Sequence, residues 1–257
     1  SCDQNAILYT IGDNDTFPLW YAQEIEGIRT DIKIVNTQLF MTDWYIDQMK
    51  FKTYKSDGLP ISFKHSEYVG DKLDYVAHIP KTDARWNLKA FIDFIKDPRS
   101  TVEMANGQTI HYYPTNKLRI PIDKDAIIKN KVVNSIYYDS IVPYIDLEIK
   151  GSAIYKNRLM ALDVLANNDW KRPIYFTGGS FGDDDYLWMK DYLQLDGLVY
   201  KLVPIKTPVD KENPYDMGDI DSDKMYDLVT KWTWGNGDLT TIYHDPETRK
   251  NSISYRT

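Results

Sequence analysis

Ala6-Ile7-Leu8-Tyr9-Thr10-Ile11-Gly12-Asp13-Asn14-Asp15-Thr16-Phe17-Pro18 decides how the rest of the chain folds. Residues 6–11 form a short apolar run with the composition of a buried strand. Gly12 to Thr16 then break that run with polar residues suited to a loop. Asn14, Asp15 or Thr16 can each accept from the free N–H groups of a following helix, and Pro18 fits its first turn. Phe17, Trp20, Tyr21, Ile25 and Ile28 recur at helical spacing and predict one apolar face. Gly27 is the expected stop, and Asp31-Ile32-Lys33-Ile34-Val35-Asn36 reads as a second strand. Strand, helix and strand at this spacing make a βαβ unit. Its polar segment falls at the carboxyl end of the first strand, where open α/β sheets keep their ligand sites.

The same pattern returns late in the chain. Leu159, Met160, Leu162, Val164 and Leu165 predict a helix closed by Asn167-Asn168-Asp169. Pro173 to Thr177 then predict a buried strand, Leu187 to Leu193 a helix, and Leu198 to Val203 a further strand. The fold class expected is α/β: a Rossmann-like, mostly parallel sheet with helices on both faces and an inserted α+β subdomain. The core is expected from residues 6–50 and 151–205, and residues 51–150 form the inserted or flanking part. Thr42-Asp43, at the end of the first core segment, and Thr82-Asp83, within the inserted part, precede short helices. Thr101 to Ile122 reads as a β-meander with turns at Asn106-Gly107 and Pro114-Thr115-Asn116. Asp123 is placed to cap a one- or two-turn helix, and Tyr144 to Ile149 alternate as a half-exposed strand. Residues 206–257 form a polar extension with one helix near Ser222 to Trp234 and a terminal linker.

Composition narrows the function classes. The 257 residues carry a net charge of -7 and no basic stripe, which argues against nucleic-acid binding. Cys2 is the only cysteine, so no internal disulfide forms and no cysteine-based metal site is available. His65, His78, His111 and His244 show no paired spacing for zinc. Aromatic content is 14%, with 20 Tyr and 7 Trp, as in carbohydrate- and protein-binding surfaces but also in large cores. No segment reaches the length of a membrane span, and the opening is not a signal peptide. The abrupt lead into a core strand suits a piece cut from something larger.

Two motifs carry chemistry on paper. Asp13-Asn14-Asp15 is a D-x-D, which in nucleotide-sugar transferases holds a divalent ion against a diphosphate. Helix capping explains the same residues. Gly178-Gly179-Ser180-Phe181-Gly182 matches the G-x-S-x-G turn of serine hydrolases between a strand and a helix. Its base would have to be His244, in a polar tail, and Asp183, Asp184 and Asp185 crowd the hydroxyl with negative charge. A glycine-rich structural turn is the plainer reading. If the strands before these segments are parallel neighbours, one rim gathers Asp13, Asn14, Asp15, Thr16, Asn36, Gln38, Ser180, Asp183 and Asp184. Such a rim suits neutral hydroxylated ligands or a cation better than phosphate.

Residues 6–20, running to Thr42-Asp43-Trp44-Tyr45-Ile46, resemble the soluble part of a family of Bacteroidetes multi-spanning membrane proteins. That family is grouped with protein O-mannosyltransferase-like glycosyltransferases. Leu165 to Trp170 with Arg172 to Phe176, and Asp191 to Leu198 with Leu202 to Ile205, carry further parts of the resemblance. It implies a soluble accessory domain on the periplasmic side of the inner membrane, attached to a membrane-helix portion of the same polypeptide. Catalysis in such proteins belongs to membrane-part loops, so no catalytic residue carries over to this chain. The resemblance implies no cofactor and no metal, with acceptor protein or glycan as the partner. The competing class is a free-standing enzyme: a serine hydrolase through Ser180, or a metal-dependent sugar transferase through Asp13 and Asp15.

Overall fold

A computed structural model describes residues 1–105, 107–178, 182–210, 212–213 and 216–231. β1 (Ile7–Thr10), α1 (Gly12–Glu24) and β2 (Lys33–Asn36) make the expected strand–helix–strand unit, with β1 and β2 parallel. A 3₁₀ turn (Leu39–Met41) leads into α2 (Asp43–Met49) and α3 (His65–Tyr68). Then come β3 (Tyr75–His78), β4 (Trp86–Asn87), α4 (Leu88–Lys96), β5 (Thr101–Glu103), β6 (Thr109–Tyr113) and β7 (Lys117–Pro121). They are followed by α5 (Lys124–Lys129), β8 (Tyr144–Glu148), β9 (Ala153–Tyr155), α6 (Lys156–Asn168) and β10 (Ile174–Thr177). β11 (Leu193–Asp196) and β12 (Val199–Leu202) complete the main sheet, and α7 (Ser222–Lys231) is the last element in sequence among the described residues. Ser1–Asp221 form one unit; Ser222–Thr257 form a second, in which only α7 and its amphipathic sequence are described.

The five-stranded sheet has the order β11-β12-β10-β1-β2. β1 sits between β2 and β10 and runs parallel to both, with Ile7 opposite Lys33 on one side and Ile174 on the other. β12 is antiparallel to β10 and to β11, so the sheet is mixed rather than mostly parallel. The cause lies in residues 184–193, which include the helix expected over Leu187 to Leu193. The chain forms two 3₁₀ turns, Asp184–Tyr186 and Lys190–Tyr192. Leu187 and Trp188 between them adopt positive φ, which no continuing helix tolerates. Without a crossover helix, the next strands return as a hairpin, and hairpin partners are antiparallel.

Alternation along the central strands divides the sheet into two apolar faces. Ile7, Tyr9, Val35, Ile174 and Phe176 join Leu159, Met160 and Leu162 of α6 and Leu88, Phe91 and Ile92 of α4 in the largest core cluster. Ala6, Leu8, Ile34 and Tyr175 face the other way, where Leu19 and Trp20 of α1 cover them. Helices therefore cover both faces.

The expected meander does not form. β5 and β6 pair antiparallel, but β6 then lies parallel to β3, and β7 pairs with β4 and β8. The turn at Pro114-Thr115-Asn116 passes the chain from one small sheet to another. Two caps also differ. Thr42 precedes α2, but its hydroxyl donates back to the Leu39 carbonyl (2.7 Å), and α4 is capped by Asn87, which accepts from Lys89 N–H (2.8 Å). Thr82-Asp83 are followed instead by β4. Asp123 caps α5 as expected, accepting from the N–H groups of Asp125 (3.0 Å) and Ala126 (3.2 Å). Among the described residues no helix is long and apolar enough to cross a membrane.

Candidate functional site

The carboxyl ends of β2, β1 and β10 lie side by side, and the polar segment after β1 is not a loop. Gly12 has φ +75° and turns the strand into α1 within one residue, a conformation that costs glycine little. Asp13-Asn14-Asp15-Thr16 is therefore the first turn of the helix. The residue before it is Ile11, which has no side-chain oxygen to cap with, and Pro18 falls inside the helix rather than at its start. The carbonyl that Pro18 leaves without a helical partner belongs to Asn14, and both residues are exposed to water.

Thr16 is the centre of the rim. Its buried hydroxyl donates to the Gly12 carbonyl (2.7 Å), lies 2.7 Å from the Thr10 hydroxyl, and accepts from Asn36 Nδ2 (3.0 Å). Asn36, also buried, accepts at Oδ1 from the N–H groups of Gln38 (2.9 Å) and Leu39 (3.0 Å). Its own N–H donates to the Tyr45 hydroxyl (2.9 Å). Asp15 Oδ2 accepts from the Thr177 hydroxyl (2.7 Å), which ties α1 to the end of β10. The rim thus brings Asp15, Thr16 and Asn36 together with Thr10 and Thr177. These groups bond one another. Asp13, Asn14 and Gln38 stand exposed beside them.

The acidic run is balanced by cations that the sequence pattern did not reveal. Asp183 pairs with Lys150 (2.5 Å), Asp184 with Arg158 Nε (3.4 Å), and Asp185 with Arg158 Nη2. Arg158 sits in the first turn of α6, and its neighbour Asn157 donates to the Thr37 carbonyl (2.9 Å). Lys156-Asn157-Arg158 opening a helix was the available signal. Gly179, Ser180, Phe181 and His244 lie outside the described residues. The strand before Ser180 is present as β10, but a 3₁₀ turn follows in place of the helix a nucleophile elbow requires. Among the described residues, no group of three or more His, Cys, Asp or Glu side chains is placed to hold a metal ion.

Asp15→Ala removes a charge-assisted bond between two elements. It is expected to lower stability by about 1–2 kcal/mol, seen as an earlier urea midpoint with unchanged slope. A midpoint equal to that of the parent would show that Thr177 does not need the carboxylate.

The expected apolar face of α1 turns outward. Phe17, Tyr21, Ile25 and Ile28 are 52%, 58%, 69% and 50% exposed, because Thr16, Leu19 and Trp20 are the residues that meet the sheet. Beside this flank a groove of about 390 Å³ runs between α1, α2 and the open edge of β2. Tyr45 forms its floor, and Trp44 and Tyr54 stand at its mouth, both more than half exposed. The Tyr54 hydroxyl donates to Glu24 across the groove. Lys33 lines the same edge, fully covered, donating to the Phe51 carbonyl (2.7 Å) and the Thr53 hydroxyl (3.0 Å). Burial, with the Arg172 charge adding to it, pushes the Lys33 ammonium down to about 8.

A family model described as TMEM260-associated domain 2 matches residues 1–224. No curated protein and no solved structure matches the chain.

Proposed function

The chain belongs to the TMEM260-associated domain 2 family, and on that premise we propose that it is the accessory domain of a membrane-embedded, O-mannosyltransferase-like glycosyltransferase. In this reading it lies on the periplasmic side of the inner membrane, attached to the membrane helices of the same polypeptide, and the source is a Bacteroidetes organism. The domain is non-catalytic by itself and presents acceptor protein or glycan to the membrane part. Its contact surface is the rim of Asp13–Thr16, Asn36–Gln38 and the segment from Thr177 to Asp185.

The observation that supports this reading best is where the rim's polar groups are directed. Thr16, Asn36 and Asp15 hold strand ends in register rather than converge on an empty point. A general base must reach the proton it abstracts, and a nucleophile needs such a base beside it. Groups fixed in this way instead give a rigid platform on which Asp13, Asn14 and Gln38 are held outward.

The test uses membranes carrying the whole parent protein alongside the 257-residue chain alone. The whole protein is expected to move mannose from a lipid-linked donor to a secreted acceptor, and the chain alone to move none. Titration of the chain with that acceptor should shift amide signals of residues 13–16 and 36–38. Transfer by the chain alone would overturn the accessory role. Cleavage of the domain by a protease admitted only to the cytoplasmic face would overturn the orientation.

A further inference from the structure

The groove beside β2 has a lining of mixed character. Trp44 packs edge-on against Tyr45, with ring centroids 5.4 Å apart and planes at 78°, which fixes the indole while leaving it largely exposed. Tyr54 is held from the other side by its hydroxyl bond to Glu24. The same lining carries groups with unused hydrogen-bonding capacity. Gln23 donates its Nε2 hydrogens to the Arg29 (2.7 Å) and Ile32 (2.9 Å) carbonyls, which leaves Oε1 free to accept. Glu24 uses Oε2 for Tyr54 and keeps Oε1, and the Gln48 amide is exposed at the wall.

We propose that this groove is a binding site for a neutral glycan, with a pyranose ring stacked on Trp44 and Tyr54 and its hydroxyls bonded to Gln23, Glu24 and Gln48. The proposal does not rest on the membrane reading above. A pyranose has one face of C–H groups and a perimeter of hydroxyls. The C–H face matches the electron-rich face of an aromatic ring, and the hydroxyls match amide and carboxylate oxygens set around it. The charges argue for neutrality: Glu24 and Lys33 are the two charged residues lining the groove, and they balance. A phosphate would meet no arginine there, and a purely apolar peptide would strand the acceptors of Gln23 and Glu24. The volume lies within the range of small-ligand sites. Both rings are held before any ligand arrives, which lowers the ordering cost of binding. The site is distinct from the rim, since it follows Ile32, Lys33 and Ile34 at the start of β2 rather than its end.

The test is titration of the 257-residue chain with maltose, cellobiose and mannobiose, following tryptophan fluorescence and amide shifts. At least one disaccharide is expected to saturate, with shifts on residues 23–24, 44–48 and 53–54. Trp44→Ala and Gln48→Ala change exposed side chains, so their melting temperatures should match the parent. Trp44→Ala is expected to weaken binding about tenfold. Lys171→Met, an exposed side chain outside both the groove and the rim, should leave it unchanged. Absence of saturation by all three sugars would overturn the proposal. So would binding indifferent to Trp44→Ala, a preference for a phosphorylated sugar or an apolar peptide, or self-association that closes the groove.

Discussion

Lys156→Met is expected to lower the stability of the unit formed by residues 1–221 by about 2–4 kcal/mol. Lys156 is the first residue of α6, where a positive charge is unfavourable to the helix, and its side chain is fully buried. Its bonds account for its presence. The ammonium reaches Asp74 Oδ1 (2.7 Å), Asp43 Oδ1 (3.1 Å), and the carbonyls of Tyr68 and Gly70 (3.0 Å each). Methionine fills similar space but leaves two carbonyls and two carboxylates without this donor. Breaking a buried pair from one side costs about 3–5 kcal/mol, and the range here is set lower because Asp74 keeps access to water. Urea unfolding followed by tryptophan fluorescence measures it, with exposed Lys171→Met as the control, expected within about 0.5 kcal/mol of the parent. A Lys156→Met loss below about 1 kcal/mol would show that the bonds are not what holds α2, α3 and α6 together.

Arg172→Lys is the second large effect, although the charge is conserved. The guanidinium donates to the carbonyls of Asn5 (2.8 Å), Asp57 (2.9 Å), Ala6 (3.3 Å) and Gly58 (3.5 Å), and to the Ser56 hydroxyl (3.0 Å). Burial draws its pKa below the ordinary arginine value, with Asp57 opposing at longer range. An ammonium has three hydrogens and no planar fork, so at least two of these acceptors lose their donor. The expected loss is about 2–4 kcal/mol, from carbonyls left buried and unpaired. The loop has no room to adjust: a Cβ on Gly58 would stand 2.0 Å from the Lys50 carbonyl oxygen. A thermal melt within a degree of the parent would refute this account.

The long apolar runs were legible because burial leaves little choice of residue. β1, β2 and β10 are buried at every position, and alternation marked β8 just as clearly. Asp123 was legible as a cap because its oxygen acts two and three residues away. What failed depended on partners distant in sequence or on a single backbone angle. The polar residues after Ile11 have loop composition, and only the positive φ of Gly12 makes them a helix start. Leu187 to Leu193 have helical spacing, but two left-handed residues break it. The outward flank of α1 shows the limit of periodicity, which finds an apolar stripe without saying what covers it. At the candidate site, strand adjacency placed Asp15, Thr16 and Asn36 together. Lys150 and Arg158 were missed because their partners are distant in sequence: the basic opening of α6 was visible, but it does not name Asp183, Asp184 or Asp185.

The pairing of β1 with β10 also sets a timetable. Ile7 and Ile174 lie opposite each other, yet a ribosome adding about 5–20 residues per second needs on the order of 10–30 s to go from one to the other. Throughout that interval β1 has β2 on one edge and nothing on the other, while both of its faces are apolar. Closing so long a loop makes the final pairing slow as well as late. An unpaired central strand is the kind of edge on which nascent chains aggregate. The strand that organises the finished sheet is therefore the one most in need of shelter while the chain is being made.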